Sequence, residues 1–296
     1  MSCPDCFRGS VHDHKGQAKG QESELHGRKV YIAAPTSSSS NSTIVFFTDA
    51  FGLGLINNKI LADRYARESG HRVVVPDVMP APPPPPELMG KMEDLLQPDK
   101  PTAWYDVLGW LKKAYLIFYI ASKMVPFMIK AAPNKPASWN ACLSFARAVK
   151  QDLPSGGKLG VIGHCWGGYP ATNLCVEPAV EGASERLVDA SFVAHPSGLK
   201  LPDHVIAAVT KFKVPYSAAF ATNDMVMPVK DQEGTIAALN KQCGPGKGEN
   251  GFNYEVRMYE GAYHGFAVRT KPGDKVGEKA EEEAAQQAVE WFKKWL

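Results

Sequence analysis

Short apolar runs alternate along the chain with longer segments whose apolar positions recur at helical spacing. Lys29–Ala33 reads as a strand, Thr43–Thr48 (TIVFFT) as a buried strand, and Arg72–Pro76 (RVVVP) as a third. Between the last two, Asn58–Ser69 sets Ile60, Leu61 and Tyr65 at helical spacing, and Gly70 stands where a helix would end. The alternation resumes after residue 137. Ala137–Lys150 reads as a helix, Leu159–Gly163 as a strand and Gly167–Cys175 as a helix. Ala190–Ala194, Tyr216–Ala221 and Tyr254–Tyr259 read as further strands, Val229–Lys241 and Glu278–Leu296 as further helices. In the last, Glu281–Glu283 come early and Lys293 and Lys294 late, the charge order that suits a helix dipole.

Strand and helix in alternation predict an α/β fold with a mostly parallel central sheet flanked by helices. Two stretches stand outside it. Residues 1–27 are polar and are expected to form an N-terminal strap, leaving 28–296 as the folded domain. The second is an insertion at about 82–136. It begins with five prolines, Pro82–Pro86, which favour an extended polyproline segment. It continues into Ala114–Ile129 (AYLIFYIASKMVPFMI), the most apolar stretch of the chain. A membrane span is a poor fit to that stretch, because it falls short of about 20 residues and carries Lys123 and Pro126. The primary expectation is a helical, lid-like cap over a site. A core helix and a membrane-surface element are the alternatives.

The chemistry concentrates at Leu159-Gly160-Val161-Ile162-Gly163-His164-Cys165-Trp166-Gly167-Gly168, an apolar run that ends in Gly-x-Cys-x-Gly. This is the pattern of a strand turning sharply into a helix with a nucleophile at the apex, where serine is usual and cysteine stands here. Glycines two residues before and after Cys165 relieve the crowding of such a turn. The helix N-terminus that follows favours a thiolate. A nucleophile needs a base, and the base an orienting partner. His264 lies in Ala262-Tyr263-His264-Gly265-Phe266 and Asp224 in Thr222-Asn223-Asp224, each just after a predicted strand. Cys165, Asp224 and His264 thus follow the nucleophile–acid–histidine order of α/β-hydrolases, at the strand ends where open α/β sheets place their sites.

With these residues in hand, the chain resembles the dienelactone hydrolase family, in its fungal-type branch. The likeness rests on Thr48-Asp49-Ala50-Phe51-Gly52, the Cys165 elbow, Thr222-Asn223-Asp224, and Tyr263-His264-Gly265-Phe266-Ala267-Val268-Arg269. The opening Cys3-Pro4-Asp5-Cys6-Phe7 carries it as well. The resemblance implies an α/β-hydrolase fold, a Cys-His-Asp triad, and hydrolysis of a lactone or ester through a thioester, with no metal and no organic cofactor. It also implies an oxyanion hole from the backbone N–H groups of Ala50 and Trp166. Asp49, at the position of a glutamate in bacterial relatives, would modulate the thiol, and Arg269 would hold a substrate carboxylate. Arg147 is the only arginine between Arg72 and Cys165, which speaks against a strongly acidic substrate.

Other residues keep two readings. His195, in His195-Pro196-Ser197 after a predicted strand, lines the pocket or caps that strand. His164 packs under the elbow. Trp104, Trp110, Tyr115 and Phe118 form a substrate pocket or ordinary core. Cys3, Cys6, His12 and His14 are a zinc candidate of unusual spacing, or part of the strap. The near balance of 33 Lys+Arg against 31 Asp+Glu, without a basic block, offers nucleic acid no footprint. Six cysteines in 296 residues do not make a disulfide scaffold, and the polar opening lacks the layout of a secretory signal. A cytoplasmic protein with reduced thiols and a small-molecule lactone or ester substrate is expected, without stable membrane insertion. A cyclase or isomerase on the same fold, or a ligand-binding protein on a retired hydrolase scaffold, are the competing functions.

Overall fold

The computed structural model describes residues 10, 16–36, 40–89, 91, 95 and 102–296. The strands are β1 (Gln21–Leu25), β2 (Arg28–Ala33), β3 (Thr43–Phe47), β4 (Arg72–Pro76), β5 (Leu159–His164), β6 (Ala190–Ala194), β7 (Tyr216–Asn223) and β8 (Tyr254–Tyr263). They form one sheet in the order β1-β2-β4-β3-β5-β6-β7-β8. β1 with β2 and β2 with β4 pair antiparallel; from β4 to β8 every pairing is parallel. β3, β5 and β6 are buried along their whole length, as a parallel sheet covered on both faces requires.

The helices are α1 (Ile56–Ser69), α2 (Val107–Ala131), α3 (Pro136–Gln151), α4 (Gly168–Asn173), α5 (Asp203–Thr210), α6 (Val229–Cys243), α7 (Phe266–Arg269) and α8 (Lys275–Trp295). α1 closes at Gly70, left-handed at φ 80°, as its place in the pattern predicts. α8 opens at Asp274, whose carboxylate accepts the Gly277 N–H at 3.0 Å, and buries a stripe that includes Ala284, Ala288 and Phe292.

Three elements differ from the sequence expectation. Gln21–Leu25, within the stretch expected to form the strap, is a strand, almost wholly exposed. Its composition carries no apolar alternation. The two-residue turn His26-Gly27, with φ 50° and 70°, pairs it to β2. β8 runs four residues past Tyr259, with its pairing to β7 shifting register between Ala221 and Asn223. Within the insertion, Val107–Ala131 is a 25-residue helix that continues through Pro126. Among the described residues, α2 is the one helix long and apolar enough to cross a membrane by length and composition. Cys3, Cys6, His12 and His14 lie outside the described residues.

Candidate active site

Cys165 stands directly after β5 with φ 51°, a left-handed conformation that side chains rarely adopt. Its surroundings hold it there. Gly167 N–H donates to the Thr48 carbonyl at 3.0 Å, and Ser197 N–H to the Cys165 carbonyl at 2.8 Å. A Cβ on Gly163 would lie 2.2 Å from the Gly167 carbonyl oxygen, one on Gly167 2.0 Å from that of Phe47, and one on Gly168 2.3 Å from the Pro196 side chain. The glycines therefore let the elbow close against β3 and against the loop after β6. The Gly167–Thr48 bond also joins the segment bearing Ala50 to the segment bearing Trp166, so the two expected oxyanion donors lie on connected loops.

His264 follows β8 and Asp224 follows β7, neighbouring strands of the sheet. His264 Nδ1 lies 2.8 Å from Asp224 Oδ2, and both side chains are wholly buried. The other carboxylate oxygen, Oδ1, accepts the N–H groups of Val226 (2.7 Å) and Met227 (3.3 Å), which fixes the orientation of Asp224. Burial works against a charge on His264. The nearby Cys165 and Asp224, and hydrogen bonds to both, outweigh it and raise the imidazole well above its ordinary range. The surroundings thus favour the imidazolium form of His264.

Asp49 is fully buried. Its Oδ1 accepts from Asn58 Nδ2 (3.0 Å) and Phe51 N–H (3.2 Å), and its Oδ2 lies 3.0 Å from Arg269 Nε. Burial raises its pKa most; Arg269 opposes this, and the negative charge of Cys165 adds to it. Arg269 itself has a side chain with no exposed surface and lies over the Phe51 ring. In the structure Arg269 thus pairs with Asp49.

The remaining expectations divide. His164 packs under the elbow, its Nε2 3.3 Å from the Tyr65 hydroxyl and its ring edge-on to Phe46; burial lowers its pKa to about 3. His195 is wholly buried at φ 36°, its ring 5.0 Å from that of His264, so it packs against His264 and exposes no surface. Trp104 is 88% exposed beside Tyr105, and Trp110, Tyr115 and Phe118 also face outward, so they are not core. Among the described residues, no group of three His, Cys, Asp or Glu side chains is arranged to hold a metal.

Two contributors were not singled out from the sequence. Ser197 Oγ lies 3.5 Å from Cys165 Sγ and 3.4 Å from His264 Nε2, in contact with both. Its one signal was its position just beyond a strand end. Asn58, which holds Asp49, also donates to the Gly52 carbonyl at 2.8 Å, a role no local pattern carries.

The chain is similar to several known proteins. A curated hydrolase of Talaromyces stipitatus, tropI, is 27% identical across 100% of this chain and 96% of its own. Dienlactone hydrolase 1 of Gibberella moniliformis is 24% identical over 98% and 93%, and the rat carboxymethylenebutenolidase homolog 25% over 99% and 97%. Among solved structures, an esterase of Pyrobaculum calidifontis superposes with a TM-score of 0.53 at 14% identity, covering 98% of this chain and 87% of its own. A propionate-bound esterase of Thermogutta terrifontis gives 0.52 at 16%, over 92% and 94%. These two share the α/β-hydrolase fold. The model of the dienelactone hydrolase family matches residues 129–296, more than half of the chain and all of its expected nucleophile, acid and histidine, so this chain belongs to the dienelactone hydrolase family of α/β-hydrolases.

Proposed function

We propose that the protein hydrolyses a small lactone or ester through a thioester on Cys165, with His264 as base and Asp224 as its orienting partner. The observation that carries this reading is the strained Cys165 apex facing a buried His264 that is hydrogen-bonded at 2.8 Å to Asp224. The Cys165 thiolate attacks the carbonyl carbon, and the carbonyl π electrons move to oxygen. The N–H groups of Ala50 and Trp166 stabilise that oxyanion, a contribution of roughly 3–4 kcal/mol per donor in comparable sites. Collapse breaks the bond to the alkoxide, which takes the proton from the His264 imidazolium. A water then loses a proton to His264 as it attacks the thioester, and the acid leaves with regeneration of the thiolate.

Asp49 tunes the charge of the thiol, and its pairing with Arg269 moderates that influence. With Arg269 committed to Asp49, a neutral lactone or ester suits the site better than a carboxylate-bearing one. A reducing compartment such as the cytoplasm suits a reactive thiol at Cys165. Incubation with an activated ester, followed by peptide mass spectrometry, is expected to locate the acyl adduct on Cys165. Cys165→Ala should lower kcat by about 10⁴-fold or more. Undiminished turnover by that variant would sink the assignment.

A further inference from the structure

α2 is apolar on both sides. One stripe, Leu116, Ile120, Met124, Phe127 and Ala131, recurs every three or four residues and is buried on the body of the protein. Half a turn away, Leu111, Phe118, Val125 and Ile129 form a second ridge. It is open to solvent, with exposures of 61, 73, 52 and 64%, and Leu108 and Tyr115 widen it. A helix facing water is expected to be polar on its outer side, and one that is apolar all round is covered on all sides. The ridge exceeds what scattered surface apolar residues account for.

The charges on the helix indicate what covers it. Val107–Ala131 holds four lysines and no acidic residue. Three of them, Lys112, Lys123 and Lys130, are exposed. At 3.6 residues per turn they fall within about 20° of one another, along a single edge of the outer ridge. Exposed Trp104, Tyr105 and Trp110 gather at the N-terminal end. An apolar face bordered by lysines with aromatic residues at its end is the composition of a helix that lies in a lipid interface, its lysine stems reaching up to anionic headgroups. A second copy of the chain would bring four more lysines and no countercharge from the same helix. An anionic lipid surface supplies the countercharge.

We infer that the outer ridge of α2 is a docking surface for anionic membranes, with the helix lying in the plane of the interface. Spanning is incompatible with the buried stripe on its other side. The foot of the helix is also fixed, because the indole N–H of Trp166, the residue after Cys165, donates to the Ala131 carbonyl at 2.6 Å. Docking would therefore hold the elbow beside the lipid surface whatever the reaction there.

Flotation of the full chain with phosphatidylcholine vesicles, with and without about a third phosphatidylserine, tests this. Binding is expected with the anionic vesicles, weakening as salt is raised. Leu111→Asp/Phe118→Asp should abolish it. Each lysine near such a surface is worth roughly fivefold, so Lys112→Gln/Lys123→Gln/Lys130→Gln should lower partitioning on the order of a hundredfold. All five positions are exposed, so circular dichroism and melting temperature should match the wild type and exclude unfolding as the cause. Failure to float with anionic vesicles at low salt overturns the inference, as does binding that survives Leu111→Asp/Phe118→Asp. So does a dimer, seen by sedimentation velocity and dissolved by Phe118→Asp, in a protein that does not bind vesicles.

Discussion

The elbow at Cys165 and the helix α2 are joined by one hydrogen bond, Trp166 to Ala131, yet they solve opposite problems. The elbow encloses polar, chargeable groups in a dry setting: Asp49, His164, His195, Asp224 and His264 are all at least nine-tenths buried, and neighbours or backbone N–H groups hold most of them. α2 does the reverse and leaves large apolar side chains in water. Burying a charge is costly unless it is paired, and exposing a ridge of apolar side chains forgoes stabilisation of ~25 cal/mol per Å². Each region thus spends stability that a purely structural protein would keep. Such departures from local consistency are where function is expected to lie.

The contrast can be broken most forcefully at the elbow. Gly167→Val should cost more than about 4 kcal/mol or prevent folding, because its Cβ would meet the Phe47 carbonyl oxygen at 2.0 Å and no flexible group can yield. Chemical denaturation, or recovery of soluble protein, measures this. The two faces of α2 sharpen the comparison within one helix. Phe127→Ala, on the buried stripe, should cost about 3 kcal/mol, whereas Phe118→Ala on the outer ridge should change stability by less than about 0.5 kcal/mol. Equal effects would mean that the outer ridge is packed after all.

The subtlest test is acid stability. His164 has its pKa lowered from 6.5 to about 3 by burial, so the unfolded chain binds a proton between those values and the native state does not. Stability should therefore fall as pH drops from 6.5 towards 3, with a slope contribution of about 1.4 kcal/mol per pH unit. His164→Asn should flatten that part of a plot of unfolding free energy against pH. His264 has the opposite sign. Its raised pKa adds stability that is complete below pH 6.5 and is lost as pH rises through the raised value. His264→Gln should consequently differ most from the wild type in stability at low pH, and least in alkali.

The parts legible in the sequence share a property: each is encoded within a few neighbouring residues. Strand and helix periodicity, Gly70 as a helix stop, and the succession of strand-end loops that bear Cys165, Asp224 and His264 are all local. Edge strand β1 was not legible, because a polar exposed strand has no apolar alternation; the His26-Gly27 turn and the free edge of β2 make it. The pairing of Asp49 with Arg269 was equally out of reach, since the chain between them must fold before the two meet. The same holds for Ser197 beside Cys165 and His264.

The amino-acid order by itself determined that Cys165, Asp224 and His264 would stand at the same end of a parallel sheet. Strand direction and chain order suffice for that. Only the tertiary structure decided which charges neutralise one another and which apolar surface remains uncovered. Arg269 turned inward to Asp49, and half of α2 turned outward. Apolarity in a sequence states what must leave water; it does not say whether the protein itself or a neighbouring surface receives it.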